Sequence, residues 1–321
     1  MIDSKDISVV VQGPILHQDE RTKRVLESVR KHLPNAELIL STWKGSDTSG
    51  LDCDALLLND DPGILVGVPA SSVNLNRQIA STRNGLQKAT RHYAMKLRTD
   101  TLLTGTGFLD AFDRYPERRD DFKVFQHKIV VPTLFTRNPL RMPASRTSLI
   151  NMFFHPSDLF QFGLRDDLSL LWNISLAKNN MTLFPEQYIW INCLRDHLQD
   201  IDYLKLNLKE QLKLSEISLT NNFIVETPTH LAIELTSRMF SLNIERCYTL
   251  SEIKYLHIQY IIRSSNSVSL ISLFRLLLHS LFIFISRIQS RIQLNVGFRR
   301  FIQKILKNKK NTISIPKEEI I

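Results

Sequence analysis

Carboxylates are missing from the last fifth of this chain: none lies between Ile253 and Lys317. Residues 253–321 hold 12 Lys+Arg against Glu318 and Glu319, so the other 252 residues carry 29 basic and 30 acidic groups. The formal charge of +9 therefore belongs to a tail on a near-neutral body, which excludes a folded surface that is basic all over, and with it a nucleic-acid partner. Cysteine is scarce too. Cys53, Cys193 and Cys247 form neither a CxxC pair nor a zinc spacing, which fits thiols of a reducing compartment. No GxGxxG and no Walker lysine loop occurs, so the dinucleotide and P-loop readings lose support. Residues 1–7 carry no apolar run behind basic residues, so no secretory signal is visible and a cytosolic body is expected. A hydrophobic content of 43% excludes disorder across the chain.

What is present reads as an α/β domain. The run from Ile7 to Gln12 stops at Gly13 and Pro14, the pattern of a buried strand ending in a turn. A charged helix is expected from Asp19 to His32, with Val25, Leu26, Val29 and Leu33 on one side. Ala36 to Ser41 and Ala55 to Leu58 predict two further strands. Asn76 to Tyr93 predicts a second helix, and Ala94 to Arg98 a fourth strand ending in Thr99 and Asp100. This order argues for a mostly parallel sheet flanked by helices. Farther on, Lys123 to Val131 predicts a strand and 132–146 a long basic loop. Helices are expected at Arg165 to Lys178, Tyr188 to Gln199 and Leu204 to Leu219, with a last strand at Asn221 to Glu226.

Three segments result: a body at 1–230, a helical extension at 231–263 and a basic tail at 264–321. In the tail, Val268 to Ile285 is the most apolar stretch, long enough to make a transmembrane span conceivable. Yet Ser272, Arg275, His279 and Ser286 fall on one helical stripe. Farther on, Phe298, Phe301, Ile302, Ile305 and Leu306 oppose Arg299, Arg300, Lys304 and Lys307. An apolar face beside a basic one suits the surface of an anionic bilayer. A tail helix packed on the body or on a partner chain is the alternative. RNA is disfavoured, because no aromatic stacking platform accompanies the charge.

Ligands of such sheets bind beyond the carboxyl ends of the strands. There the sequence gathers Gln12, Gly13 and Pro14; Ser41, Thr42 and Trp43; Asn59, Asp60 and Asp61; and Asp100. Turns use these residue types anyway, so the succession of clusters matters more than any one. The most informative group is Lys96, Arg98 and Asp100, which alternation puts on one side of an extended segment. Lysine and arginine suit phosphate oxygens, and a strand-end carboxylate suits Mg²⁺ or Mn²⁺ shared with a diphosphate. The plainer reading is a salt bridge between Arg98 and Asp100.

These segments carry a resemblance. Residues 10–15 (VVQGPI), 36–45 (AELILSTWKG), 59–63 (NDDPG), 74–79 (NLNRQI), 96–100 (KLRTD) and 185–188 (PEQY) together resemble the WavE lipopolysaccharide-synthesis family of bacterial glycosyltransferases. The resemblance runs over about 7–190 and weakens beyond about 230. It implies a GT-A-like, Rossmann-type fold. It also implies a nucleotide sugar as donor and a lipid-linked lipopolysaccharide, O-antigen or capsule glycan as acceptor. The place of action would be the cytoplasmic face of the inner membrane, with the protein peripheral to it. By the same resemblance, the donor lies over Gln12, Gly13, Pro14 and Thr42, with Asp60 or Asp61 near its base or ribose and Asn76 and Arg77 within reach. Asp100 takes the place of the last carboxylate of the usual Asp-x-Asp motif. Arg98 stands where the first is expected, which leaves Mn²⁺ or Mg²⁺ at Asp100 an open expectation.

A base for the acceptor hydroxyl is expected at Glu186, at a helix start, or at Asp158. For Glu186 the competing explanation is stabilisation of that helix N-terminus. Two other activities remain open on sequence: a phosphosugar transferase or nucleotidyltransferase, and a non-enzymatic scaffold of a polysaccharide assembly complex.

Overall fold

The computed structural model describes residues 2–139, 152–197, 205–236 and 246–268, with Leu273, Phe274, Leu277 and Leu281. The part of the basic loop beyond 139 lies outside the described residues, as do Ser272, Arg275, His279, Ser286 and the 298–307 faces.

The strands β1 (Ile7–Gln12), β2 (Glu37–Trp43), β3 (Ala55–Asn59) and β4 (Tyr93–Arg98) form a parallel block, with β1 between β2 and β4. Helix α1 (Arg21–His32) follows β1, and α2 (Leu75–Lys88) follows β3. Beyond β4 the sheet continues through β7 (Gln161–Leu164), β6 (Ile129–Pro132) and β8 (Phe223–Glu226), giving the order β3-β2-β1-β4-β7-β6-β8. Strand β7 runs antiparallel to both neighbours, and β6 pairs parallel with β8. A two-stranded ribbon joins β5 (Leu102–Leu103) to β9 (Ile233–Glu234), tying chain beyond residue 230 to the body.

Why these segments are strands follows from burial. Every residue of β1 is buried, because both faces of the sheet are covered. Val9 and Val11 enter a core with Val25, Leu26 and Val29 of α1 and with Phe108 and Phe112 of α3 (Gly107–Phe112). Val10 enters the opposite core. There it joins Ile79 and Leu86 of α2, Trp172 of α4 (Arg165–Trp172), Trp190 of α5 (Pro185–His197) and Leu212 of α6 (Leu208–Asn222). Helix α7 (Leu250–His257) adds Ile253 and Leu256 to that core and runs on into a π-helical turn at Ile258–Ile262.

Several expected boundaries move. The second helix stops at Lys88, and Tyr93 opens β4 with its ring against Phe112 and Phe162. Only the end of the 123–131 run is strand, since the backbone of Phe125 to His127 is taken by the side chains of Arg118 and Asp167. The helix from Arg165 ends at Trp172 rather than Lys178. Helix α6 begins at Leu208, where Asn207 and Glu210 form a reciprocal capping box. Among the described residues no helix is long and apolar enough to cross a membrane.

Gly85 of α2 sits where helix and sheet touch. A Cβ there would lie 2.3 Å from Val10 Cγ1 and 3.4 Å from Ser41 Cβ, so the helix could not keep its place. Gly85→Ala is expected to destabilise the fold by about 1–3 kcal/mol, the usual cost of overfilling a core. Thermal unfolding followed by circular dichroism reads this as a lowered Tm; an unchanged Tm would refute the close approach.

Candidate active site

The parallel register brings four strand ends into one row. Gln12 stands opposite Ser41 on one side and Arg98 on the other, and Trp43 stands opposite Asn59. Gly13 turns the chain out of β1 with φ +128°, a conformation that favours glycine, and a Cβ there would meet Thr99 Oγ1 at 3.0 Å. Beneath the row runs a buried polar ladder. Ser81 Oγ donates to Gln12 Oε1 at 2.7 Å, Ser41 Oγ to the Ser81 carbonyl at 2.8 Å, and Asn59 Nδ2 to the Thr42 carbonyl at 2.7 Å. It fixes the lip of the sheet from below.

The other expected donor contacts divide into two kinds. Asn76 is buried and its amide is spent on the backbone of Ala177, donating at 3.0 Å and accepting at 2.7 Å. Arg77 forks onto Asp61 at 2.8 and 2.5 Å, and Lys44 pairs with Asp60 at 2.8 Å. The Arg77 fork holds the Asp61 carboxyl below its ordinary range. Pro14 is exposed just past the lip.

At the end of β4 the plainer reading of Arg98 and Asp100 is what the structure holds. Arg98 Nε and Nη2 donate to the two oxygens of Asp100 at 3.0 and 2.9 Å. Arg21 of α1 grips the same turn from behind, donating Nε and Nη2 to the Asp100 carbonyl at 3.0 and 2.8 Å. Lys96 shares their side of the strand but does not reach the surface. It is fully buried, donates to the Asp158 carbonyl, and holds its ammonium 5.1 Å from the centre of the Trp172 ring. Burial pushes its pKa down to about 8.

Asp158 lies just before β7, and its carboxylate accepts from Gln78 of α2. Next to it stands Glu186, in the first turn of α5 and nearly buried. Gln187 Nε2 donates to the Phe153 carbonyl at 2.8 Å, tying the start of α5 to the segment that carries His155. His155 Nδ1 lies 3.0 Å from the Phe135 carbonyl, which can only accept, so the ring proton belongs on Nδ1. That leaves the bare Nε2 facing Glu186 Oε2 at 3.5 Å. Phe135 and Phe154, on either side of this contact, both have positive φ, 65° and 55°.

Electrostatics follow from this enclosure. Burial, then the Asp158 carboxylate, pushes Glu186 up to about 8. Burial and the Arg137 guanidinium push His155 down to about 3, so the imidazole is neutral. A protonated Glu186 facing a bare nitrogen is the consistent arrangement near neutral pH. Glu186 and Asp158, named as alternatives from sequence, thus belong to one cluster with Lys96.

A family model described as WavE lipopolysaccharide synthesis matches residues 7–290. The chain belongs to that family. Among solved structures it is similar to S. aureus TarS at 11% identity and a TM-score of 0.33, covering 59% of this chain and 33% of TarS. It thus spans about a third of that structure's length. It is also similar to a glycosyltransferase involved in the glycosylation of the major capsid of PBCV-1, at 10% identity and a TM-score of 0.34, over 78% of this chain and 98% of that one. No curated protein matches it.

In this WavE-family chain the expected divalent ion at Asp100 finds a poor set of donors. Both carboxylate oxygens are taken by Arg98, and no group of three His, Cys, Asp or Glu suited to a metal occurs among the described residues. Mg²⁺ and Mn²⁺ want uncompensated oxygen ligands, and here a cation would meet a guanidinium. Sequence reading does not bring out Gln78, Arg21, Arg137, Trp172 or His155 as site residues. The HPSD run was the available signal for His155. The others lie far off in sequence and look like ordinary helix, loop and core residues.

The raised Glu186 pKa has a consequence for stability. Its folded state binds the proton more tightly than the unfolded chain does, so stability is withdrawn as pH rises from the ordinary carboxylate range toward about 8. Glu186→Gln removes that loss. It is expected to raise Tm by about 2 °C or more near pH 9 while changing it little near pH 4. A pH-independent effect would contradict the buried, protonated carboxyl.

Proposed function

We propose that this protein is a GT-A-like glycosyltransferase. It would move a sugar from a nucleotide-sugar donor to a lipid-linked lipopolysaccharide, O-antigen or capsule glycan at the cytoplasmic face of the inner membrane. The observation that carries the reading is the pairing of two features in a WavE-family chain. One is a strand-end row with an arginine suited to a diphosphate; the other is a buried carboxyl pair beside it, suited to proton transfer.

The donor lies over Gln12, Gly13, Pro14 and Thr42, with its diphosphate toward Arg98. The acceptor hydroxyl oxygen attacks the anomeric carbon, the bond from that carbon to the diphosphate oxygen breaks, and the diphosphate leaves with the electron pair. Glu186, as carboxylate, takes the hydroxyl proton, and because the displacement is single and direct it inverts the anomeric centre. Asp158 keeps the proton affinity of Glu186 high enough for that task, and Lys96 holds Asp158 in place through its carbonyl. Arg137, above the Phe135 ring at 4.7 Å, adds positive charge near Glu186.

The tail brings this site to its acceptor. Leu273 packs against the body, whereas Phe274, Leu277 and Leu281 expose large apolar side chains from helical positions three and four residues apart. Their spacing suits an apolar stripe lying in a bilayer surface, next to a stretch of chain without carboxylates.

Four outcomes are expected. A screen of nucleotide sugars should yield free nucleoside diphosphate with one donor. Nucleoside monophosphate or pyrophosphate would instead identify a phosphosugar or nucleotidyl transfer. Glu186→Gln should lower kcat by about 10²–10⁴ with KM little changed. The wild-type rate should climb with pH toward about 8, and Asp158→Asn should move that rise to lower pH by removing a neighbouring negative charge. Deleting 264–321 should release the protein from membranes, and high salt should weaken attachment only in part, because an apolar face is not screened. Unchanged sedimentation after the deletion would reject the tail reading.

A further inference from the structure

The Arg98–Asp100 pair stands where a donor's diphosphate would arrive, and its geometry says which member meets a ligand first. The side chain of Arg98 is 36% exposed and that of Asp100 14%, so the guanidinium is the outward partner. Arg21 holds the Asp100 carbonyl with two hydrogen bonds, which anchors the turn without help from Arg98. Arg98 can therefore leave Asp100 and the turn still stands. The cations here are already partnered: Arg21 also pairs with Glu234, and Lys96, two residues before Arg98 on the same side of β4, lies with Asp158 and Glu186. A divalent cation at Asp100 would have to displace the guanidinium that occupies both carboxylate oxygens, whereas a diphosphate would meet that guanidinium from its exposed side.

Resting on the nucleotide-sugar reading, we propose that Arg98 takes the place of a metal ion. On donor binding the Arg98–Asp100 pair opens, the guanidinium forks onto diphosphate oxygens, and Asp100 is freed to accept hydrogen bonds from donor hydroxyls. One charge-assisted fork replaces another, so the exchange is close to balanced and reversible. A divalent ion has no part in holding the donor, and the leaving diphosphate is neutralised by the side chain. Gln12, opposite Arg98 in the register, flanks the same position.

The test is calorimetric titration of UDP, GDP, ADP, CDP and dTDP into the full-length protein, each with EDTA and with Mn²⁺. A parallel measurement reads free Mn²⁺ by its paramagnetic resonance signal. One nucleotide is expected to bind with Kd alike within about threefold in the two buffers, and the Mn²⁺ signal should stay undiminished by the protein. Arg98→Ala should weaken that nucleotide by about tenfold or more, with Arg98→Lys between the two, because lysine keeps the charge and loses the fork. Two results overturn the proposal. One is tenfold or greater tightening by Mn²⁺; the other is stoichiometric loss of the free Mn²⁺ signal that Asp100→Asn abolishes. The second needs no Arg98 variant to fold. Binding of no nucleotide in either buffer would instead bring down the nucleotide-sugar reading on which the proposal rests.

Discussion

A lysine with no route to water organises this site. Lys96 lies in the strand that joins the parallel block to β7, covered on both faces, and its ammonium must find partners inside the protein. It finds the Asp158 carbonyl and the face of Trp172. An unpaired ammonium at that depth would cost several kcal/mol, on the order of what single buried charges cost elsewhere. The chain before β7 is therefore pinned where its carbonyl can reach. Pinning it sets Asp158 beside Glu186 and, through Asp158, raises the proton affinity of Glu186. One buried charge on β4 thus fixes the chemistry of a helix start some ninety residues later.

The same cluster withdraws stability from both directions of pH. Lys96 binds its proton less tightly in the folded chain than in the unfolded one, so its burden is felt below about pH 8 and fades above it. Glu186 does the reverse, and its burden grows as pH rises toward about 8. The apolar cores on the two faces of the sheet must offset both. A purely structural site would gain from apolar residues of the same volume, because buried ion pairs seldom outdo them. Retaining both groups in one enclosure is what proton transfer would require.

The parallel half of the fold was legible because β1, β2 and β4 are apolar on both faces and punctuated by Gly13, Pro34 and Asn35. The other half was not. Strand β7 alternates Phe162 and Leu164 with Gln161 and Gly163, but over only four residues, too short a pattern to stand out from loop, and pairing with β4 and β6 makes it a strand. Alternation rightly put Lys96, Arg98 and Asp100 on one side. It could not tell that two residues back from the strand end lies beneath the lip of the sheet rather than on it. Glu186 and Asp158 were each visible as candidates. Their mutual effect was hidden, because it depends on burial and on a contact between segments far apart in sequence. His155 and Phe135 are a stronger case: the carbonyl that fixes the ring proton sits twenty residues away, across a loop.

Reversal of the strand order explains why Arg98 and the Glu186–Asp158 pair meet at all. A fully parallel sheet would return its next strand through a long crossover and leave its own turn at the far edge. Because β7 runs antiparallel to β4, the chain entering β7 arrives at the same edge where β4 ends. The segment holding His155 and Asp158 is thereby delivered to the row of Gln12 and Arg98. The N-terminus of α5 then closes over it, held by Gln187 to the Phe153 carbonyl. Placing Arg98 and the Glu186–Asp158 pair at one edge thus needs a single strand reversal, and that reversal is held by the same buried lysine.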